Sequence, residues 1–140
     1  MTDTYIWQKI RQRFLDVIAE YDEDKEESSV VIEPNNTDER PTDNLWFEIF
    51  PLHSMPYQQE LGTSGRNRWN FGLQININSP KDLGTSEIDD AYDFIVSKFK
   101  RGDIFDGIRV LQTAYRSSAQ MADDYYSVPV TVMVQADLDN

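Results

Sequence analysis

The chain has no cysteine, which removes disulfides, thiolate nucleophiles, iron–sulfur clusters and the usual structural zinc sites together. Stability must come from packing. There is one histidine, His53, and acyl-transfer chemistry needs a proton acceptor beside its nucleophile. His53 lies in a stretch bearing Pro56, Gly62 and Gly65, and no G-x-S-x-G elbow accompanies the serines. No Walker loop and no G-x-G-x-x-G occurs either. Long apolar runs are missing: none approaches the roughly 18 residues of a membrane span, and the opening MTDTYIWQKIRQRF lacks a signal peptide's apolar block. The expectation is a protein made in the cytoplasm with no membrane partner. Positive charge is also short, with 13 Lys and Arg against 25 Asp and Glu, a net −12. Such a surface repels phosphate backbones and disfavours a groove-reading nucleic-acid binder.

The abundant carboxylates do not form a recognisable metal or glycosidase site. Asp89/Asp90 are helix neighbours and diverge. DIFDG at 103–107 has too few ligands for a calcium loop, and Asp123/Asp124 is the remaining pair. GTSGRN at 62–67 offers two glycines and an arginine to an anion, but no helix N-terminus follows it. Neither catalytic residues, nor a cofactor, nor a metal is expected, and the chain is not read as an enzyme.

What is present is enough to fold. Apolar residues make up 39% and aromatics 12%, too many for a disordered chain. At 140 residues, one domain over 1–140 is the default. Tyr5, Ile6, Ile10, Phe14, Val17, Ile18 and Tyr21 recur at helical spacing, which predicts an amphipathic helix ending in DEDKEESS. VVIEP at 30–34 predicts a short strand stopped by Pro34. LWFEIFP at 45–51 predicts a central strand, and Leu52–Gly65 a long loop. Thr85 or Ser86 starts a second helix, with Ile88, Ala91, Tyr92, Ile95 and Phe99 as its stripe, Ser86 and Asp89 as a capping box, and Arg101-Gly102 as its stop. Residues 107–116 predict one strand, 117–126 a polar connection, and VPVTVMVQAD a final strand whose valines share one face. The order predicts an α+β fold, a mainly antiparallel β-sheet packed on two α-helices with a long protruding β-hairpin.

Two features stand out. Between Glu20 and Asp43 ten acids face two bases, so that stretch carries −8 and the rest of the chain −4. RNRWNFGLQININSP at 66–80 alternates strictly, with Trp69, Phe71, Leu73, Ile75 and Ile77 on one face and Arg66, Arg68, Asn70, Gln74, Asn76 and Asn78 on the other. A purely solvated face would carry more Lys, Glu and Thr. A strand longer than its sheet leaves backbone groups that another chain can pair, and a head-to-tail contact of that kind closes into a ring. Arg66, Arg68, Lys98, Lys100 and Arg101 lie in the middle third, so one subunit's basic edge is expected to face its neighbour's acidic loop.

The layout resembles the tail terminator, or tail completion, proteins of long-tailed bacteriophages. The resemblance rests on IWQKIRQRFLDVI, LWFEIFPL and RNRWNFGLQININSPKDLGTSEIDDAYDFIVSKFKRG, and its specific part is confined to about 66–102. It implies a homo-oligomeric ring, a hexamer, that caps the tail tube, stops its polymerisation and offers a docking surface for the head. The implied partners are the tail tube protein and the head–tail connector or stopper protein, and DNA only passes through the lumen. Localisation would be the virion tail or neck, after assembly in the host cytoplasm. By the same resemblance the hairpin containing 46–78 lies at the subunit interface. The expected contact residues are Arg66, Arg68, Asn70, Gln74, Asn76, His53, Tyr57, Glu60 and Arg101. Rival readings are a head-side stopper or minor tail protein of similar fold, an acidic DNA mimic that inhibits a host nucleic-acid-binding protein, and a metal-dependent hydrolase using Asp103, Asp106 or Asp89.

Overall fold

The computed structural model describes residues 3–25, 28–36, 41, 44–53, 57–58, 66–121 and 124–139, without the side chains at 57, 58, 66, 67, 138 and 139. Helix α1, Asp3–Tyr21, buries Ile6, Ile10, Phe14, Val17 and Ile18, the stripe expected from its periodicity. It stops where Asp22, Glu23 and Asp24 would add negative charge to a helix C-terminus, the end already negative by its dipole. The Asp22 carboxylate then accepts hydrogen bonds from the Ser29 amide and hydroxyl, both at 2.7 Å, turning the chain into the next strand.

That strand, β1 (Val30–Ile32), runs parallel to β2 (Trp46–Leu52), with Val30 opposite Trp46. The remaining pairings are antiparallel. β2 pairs with β4 (Arg66–Pro80) from Trp46/Asn78 to Leu52/Gly72, and the two-residue β3 (Tyr57–Gln58) pairs with Arg68 and Asn67. After helix α2 (Ser86–Lys98) come β5 (Ile104–Phe105), β6 (Ile108–Val110), β7 (Tyr115–Arg116), β8 (Gln120–Met121) and β9 (Tyr125–Asp139). Among the described residues these nine strands form one sheet, ordered β1-β2-β4-β9-β6-β5, with β3 on β4 and β7 and β8 on β9. The fold is therefore α+β, with two helices and a mostly antiparallel sheet.

Odd-numbered β4 residues and even-numbered β9 residues share one face, as their register requires: Phe71 lies opposite Val134, Leu73 opposite Val132 and Ile75 opposite Val130. These side chains, with Phe47 and Ile49 of β2, join the buried stripes of both helices in one hydrophobic cluster. Phe14 of α1 meets Phe47 edge-on, ring centres 6.0 Å apart, and Tyr21 meets it at 6.4 Å. Burying a side chain of this size contributes about 1.5–3 kcal/mol, so the odd face of β4 anchors the fold.

The structure corrects several expectations. β4 continues through Ser79 and Pro80, because Tyr126 and Tyr125 still lie opposite them. The segment 107–116 is not one strand. Gly107 belongs with Asp106 to the turn that folds β6 back on β5 (φ 79° and 51°), and the chain leaves the strand again over 111–114 between β6 and β7. Two consecutive positive φ values are the demand of a tight hairpin turn, and Asp-Gly is the dipeptide that meets it. The polar connection holds β8, and β9 begins three residues before Val128. Thr85 caps α2 through its carbonyl, which accepts the Asp89 amide at 2.9 Å, and no side-chain capping bond forms. β4 also has a partner along its whole length, because β9 is equally long at 15 residues and pairs with it from Arg66/Asp139 to Pro80/Tyr125.

Candidate assembly surface

The even-numbered residues of β4 point away from the hydrophobic cluster, and the register places β2, β6, β7 and β9 side chains beside them in cross-strand rows. One row is a continuous hydrogen-bonded ladder. Arg109 Nη2 donates to Gln135 Oε1 at 3.1 Å, and Gln135 Nε2 donates to Asn70 Oδ1 at 3.0 Å. In the next row Arg68 holds Asp137 with two bonds, 2.8 and 3.2 Å. Towards the other end Gln74 Nε2 donates to Asn76 Oδ1 at 3.1 Å, and Asn78 Nδ2 donates to Glu48 Oε1 at 3.1 Å. Asn78 is fully buried there, and its Oδ1 has no hydrogen-bond partner among the described residues. Trp46 closes this end by stacking edge-on with Tyr125, ring centres 5.3 Å apart.

Apolar groups interrupt the amides. Phe50, Gln74, Thr131 and Tyr115 form a single row across four strands, and Phe50 and Tyr115 at its ends are 38% and 43% exposed. In the adjoining row Gly72 sits between Leu52 and Met133. A Cβ on Gly72 would lie 3.0 Å from Leu52 Cβ, Leu52 Cδ1 and Met133 Sδ. The glycine is there so that these two side chains can close over the strand.

Of the residues expected to mark the interface, Arg68, Asn70, Gln74 and Asn76 are together on this face. Arg66 continues the row by register, opposite Asp139, and Tyr57 pairs by backbone with Arg68. Glu60 lies outside the described residues. His53 is on the helix side instead: its Nδ1 is 2.8 Å from Asp3 Oδ2, and its ring meets Phe71 at 5.1 Å. It ties the end of β2 to the start of α1. Arg101 is in the exposed turn after α2, where its amide donates to Thr113 Oγ1 at 3.1 Å, and it joins none of the rows. Arg109, Gln135 and Asp137 were not anticipated. The alternation of VPVTVMVQAD sets Gln135 opposite the valines, but no local signal ties it to Asn70, 65 positions away.

The helix side is electrostatically different. A cleft of about 670 Å³ between the end of α1 and the start of α2 is lined by Tyr21, Lys25, Ser29, Asn44, Glu87 and Asp90, among others. Burial pushes the Tyr21 phenol pKa up, and Asp90, Glu87 and Asp22 push it the same way. Lys25 caps the ring, its Nζ 4.2 Å from the centre. Several cations here are committed within the chain. Lys98 binds Glu20 at 2.7 Å, Arg116 binds Asp89 at 2.8 Å, and Arg11 forks onto Glu33. The hydrogen bonds to Asp89 and to Glu33 raise the two guanidinium pKa values further. Two of the five cations expected to face a neighbour, Arg68 and Lys98, are thus paired internally. Among the described residues no cluster of three potential metal-ligating side chains occurs, and no helix is long and apolar enough to cross a membrane.

No protein-family model matches the sequence, and no curated protein matches it. Six chains of solved structures do match. One of them, designated by a sequence identifier alone, superposes with a TM-score of 0.68 over 92% of this chain and 92% of its own, at 14% identity. Likeness at that identity establishes the fold and nothing more.

Proposed function

We propose that this chain is a virion structural protein of a long-tailed phage, a tail terminator that assembles into a ring, of six subunits by the resemblance, on the end of the tail tube. It works by shape and surface complementarity. The ring ends tube polymerisation, presents a platform to the head-side connector or stopper, and lets DNA pass without binding it. The observation that carries this reading is the length of the β4/β9 ribbon. Its Arg66–Phe71 end runs six residues beyond the last β2 pair, Leu52/Gly72, and past the last β6 pair, Arg109/Gln135. Phe71 of this stretch serves the body's own core, while the outward residues beside it offer a neighbouring subunit a paired ledge to pack on. We read β2 and β4 as the arms of a long hairpin that protrudes from the body at this end, with the tip between them outside the described residues.

The carboxylates argue against a DNA mimic. Asp89, Glu20, Glu33 and Asp137 are each spent on a cation of the same chain, whereas a mimic must present free charges at phosphate-like spacing. The test is sedimentation and native mass measurement of the purified chain across concentration, with electron microscopy of the product alone and with tail tubes. Rings that sit on tube ends are the expected result. A chain that stays monomeric at high concentration and leaves tube growth unchanged refutes the proposal.

A further inference from the structure

We infer that the cleft between the end of α1 and the start of α2 is a binding site for a linear alkyl diamine, a small organic cation with an ammonium group at each end, and that Lys25 holds one of its two seats in the free protein. The inference stands apart from the ring reading and needs only the single chain.

The walls of the cleft show what chemistry it takes. One wall is the first turn of α2, where Glu87 and Asp90 are three positions apart and lie side by side on one helix face. Among the described residues neither carboxylate has an ion pair, although their neighbour Asp89 is held by Arg116 and Glu20 by Lys98. Like charges one turn apart destabilise each other, and a cation bound to both relieves that. The other wall is Tyr21, whose ring packs on Phe47 at 6.4 Å and on Phe94 at 5.3 Å. Burial is the main cause of its raised phenol pKa, and Asp90 and Glu87 add to it, which sets both carboxylates near the same hydroxyl.

An ammonium already sits on this second wall. Lys25 Nζ is 4.2 Å from the centre of the Tyr21 ring, well within the reach at which a cation is attracted to an aromatic face. It pairs with neither Glu87 nor Asp90, so the described chain supplies a cation to the ring and none to the carboxylates. Val30 and Leu45 add apolar surface, and Ser29 and Asn44 add oxygen acceptors. The volume, about 670 Å³, is inside the range of about 300–1,000 Å³ found for small-molecule sites. A diamine uses all of these groups. One ammonium takes the place of Lys25 on Tyr21, the other lies on the Glu87 and Asp90 pair, and the methylenes cover Val30 and Leu45. A metal ion would use the oxygens alone and gain nothing from the ring face or the aliphatic side chains. Bound there, the diamine ties the end of α1 to the start of α2.

Isothermal titration of the full chain with butane-1,4-diamine at low salt tests this, with butylamine and magnesium ion as comparisons. The expected result is saturable binding of one diamine per chain, about tenfold tighter than butylamine because a second charge is engaged. Glu87→Gln with Asp90→Asn should weaken it about tenfold. Glu23→Gln with Asp82→Asn removes the same charge outside the cleft and should leave it within about twofold. Lys25→Ala should tighten it roughly threefold by freeing the ring, whereas Lys9→Ala, the same charge change elsewhere, should not. Equal losses in the two double variants, or equal gains in the two lysine variants, reduce the effect to general attraction by an acidic chain and overturn the site. Magnesium that displaces the diamine at equal concentration overturns it too, and so does a wild type without saturable binding. Circular dichroism checks that each variant is folded; should the Glu87 and Asp90 variant not fold, the lysine pair decides.

Discussion

Replacing Phe47 by alanine, and in a separate protein Phe50 by alanine, tests the assignment of the two sheet faces on which both the core and the candidate assembly surface depend. The two residues are three apart on β2 and point to opposite sides. Phe47 is fully buried and touches Phe14 and Tyr21 edge-on. Its truncation removes the transfer free energy of a phenyl ring and leaves a cavity, about 3–5 kcal/mol. A domain of this size has a total of about 5–15 kcal/mol, so the thermal midpoint should fall by roughly 10–20 °C. Phe50 is 38% exposed, and its loss opens no enclosed cavity. The expected cost is about 1–2 kcal/mol from the partly buried area alone. Urea denaturation of dilute protein, followed by circular dichroism, gives both values. Association should show the opposite ranking, with Phe50→Ala weakening it although the subunit remains folded. A cost for Phe50→Ala equal to or above that of Phe47→Ala would refute the register, because a slip of one residue exchanges the faces of the whole strand.

Gly72→Val should destabilise the chain by about 1–3 kcal/mol through overpacking against Leu52 and Met133, read from the same denaturation curves, and truncating Met133 to alanine should recover part of that loss. The raised Tyr21 pKa gives an alkaline signature. A group whose folded pKa exceeds its unfolded value contributes stability that is fully present below the unfolded value, 10.0 here, and is lost as pH rises through the folded one. Stability should therefore decline above about pH 10 less steeply in Tyr21→Phe than in wild type, and absorbance titration should show one late phenol that disappears in the variant.

The helices and the inward faces of the strands are legible in the sequence because their cause is local. Ile6, Ile10, Phe14 and Val17 recur with the helical period, and Phe71, Leu73, Ile75 and Ile77 with the strand period, so burial follows from spacing alone. Asp106-Gly107 carries the dipeptide of a tight hairpin turn, but the apolar pattern of 107–116 reads as one strand, so the β5/β6 hairpin is not expected from it. For the candidate assembly surface, the pattern places Arg68, Asn70, Gln74 and Asn76 on one face, but it cannot supply what lies beside them.

What the sequence by itself determined is thus which side of each element is apolar, and that one strand is long. Only the tertiary structure decided that β9 matches β4 residue for residue, that Gln135 meets Asn70 and Asp137 meets Arg68, and that His53 turns to the helix side. These depend on register between segments 50 to 69 positions apart. Many registers satisfy the same alternation, and only one that brings the strands' apolar side chains into a single cluster with the helix stripes buries them all.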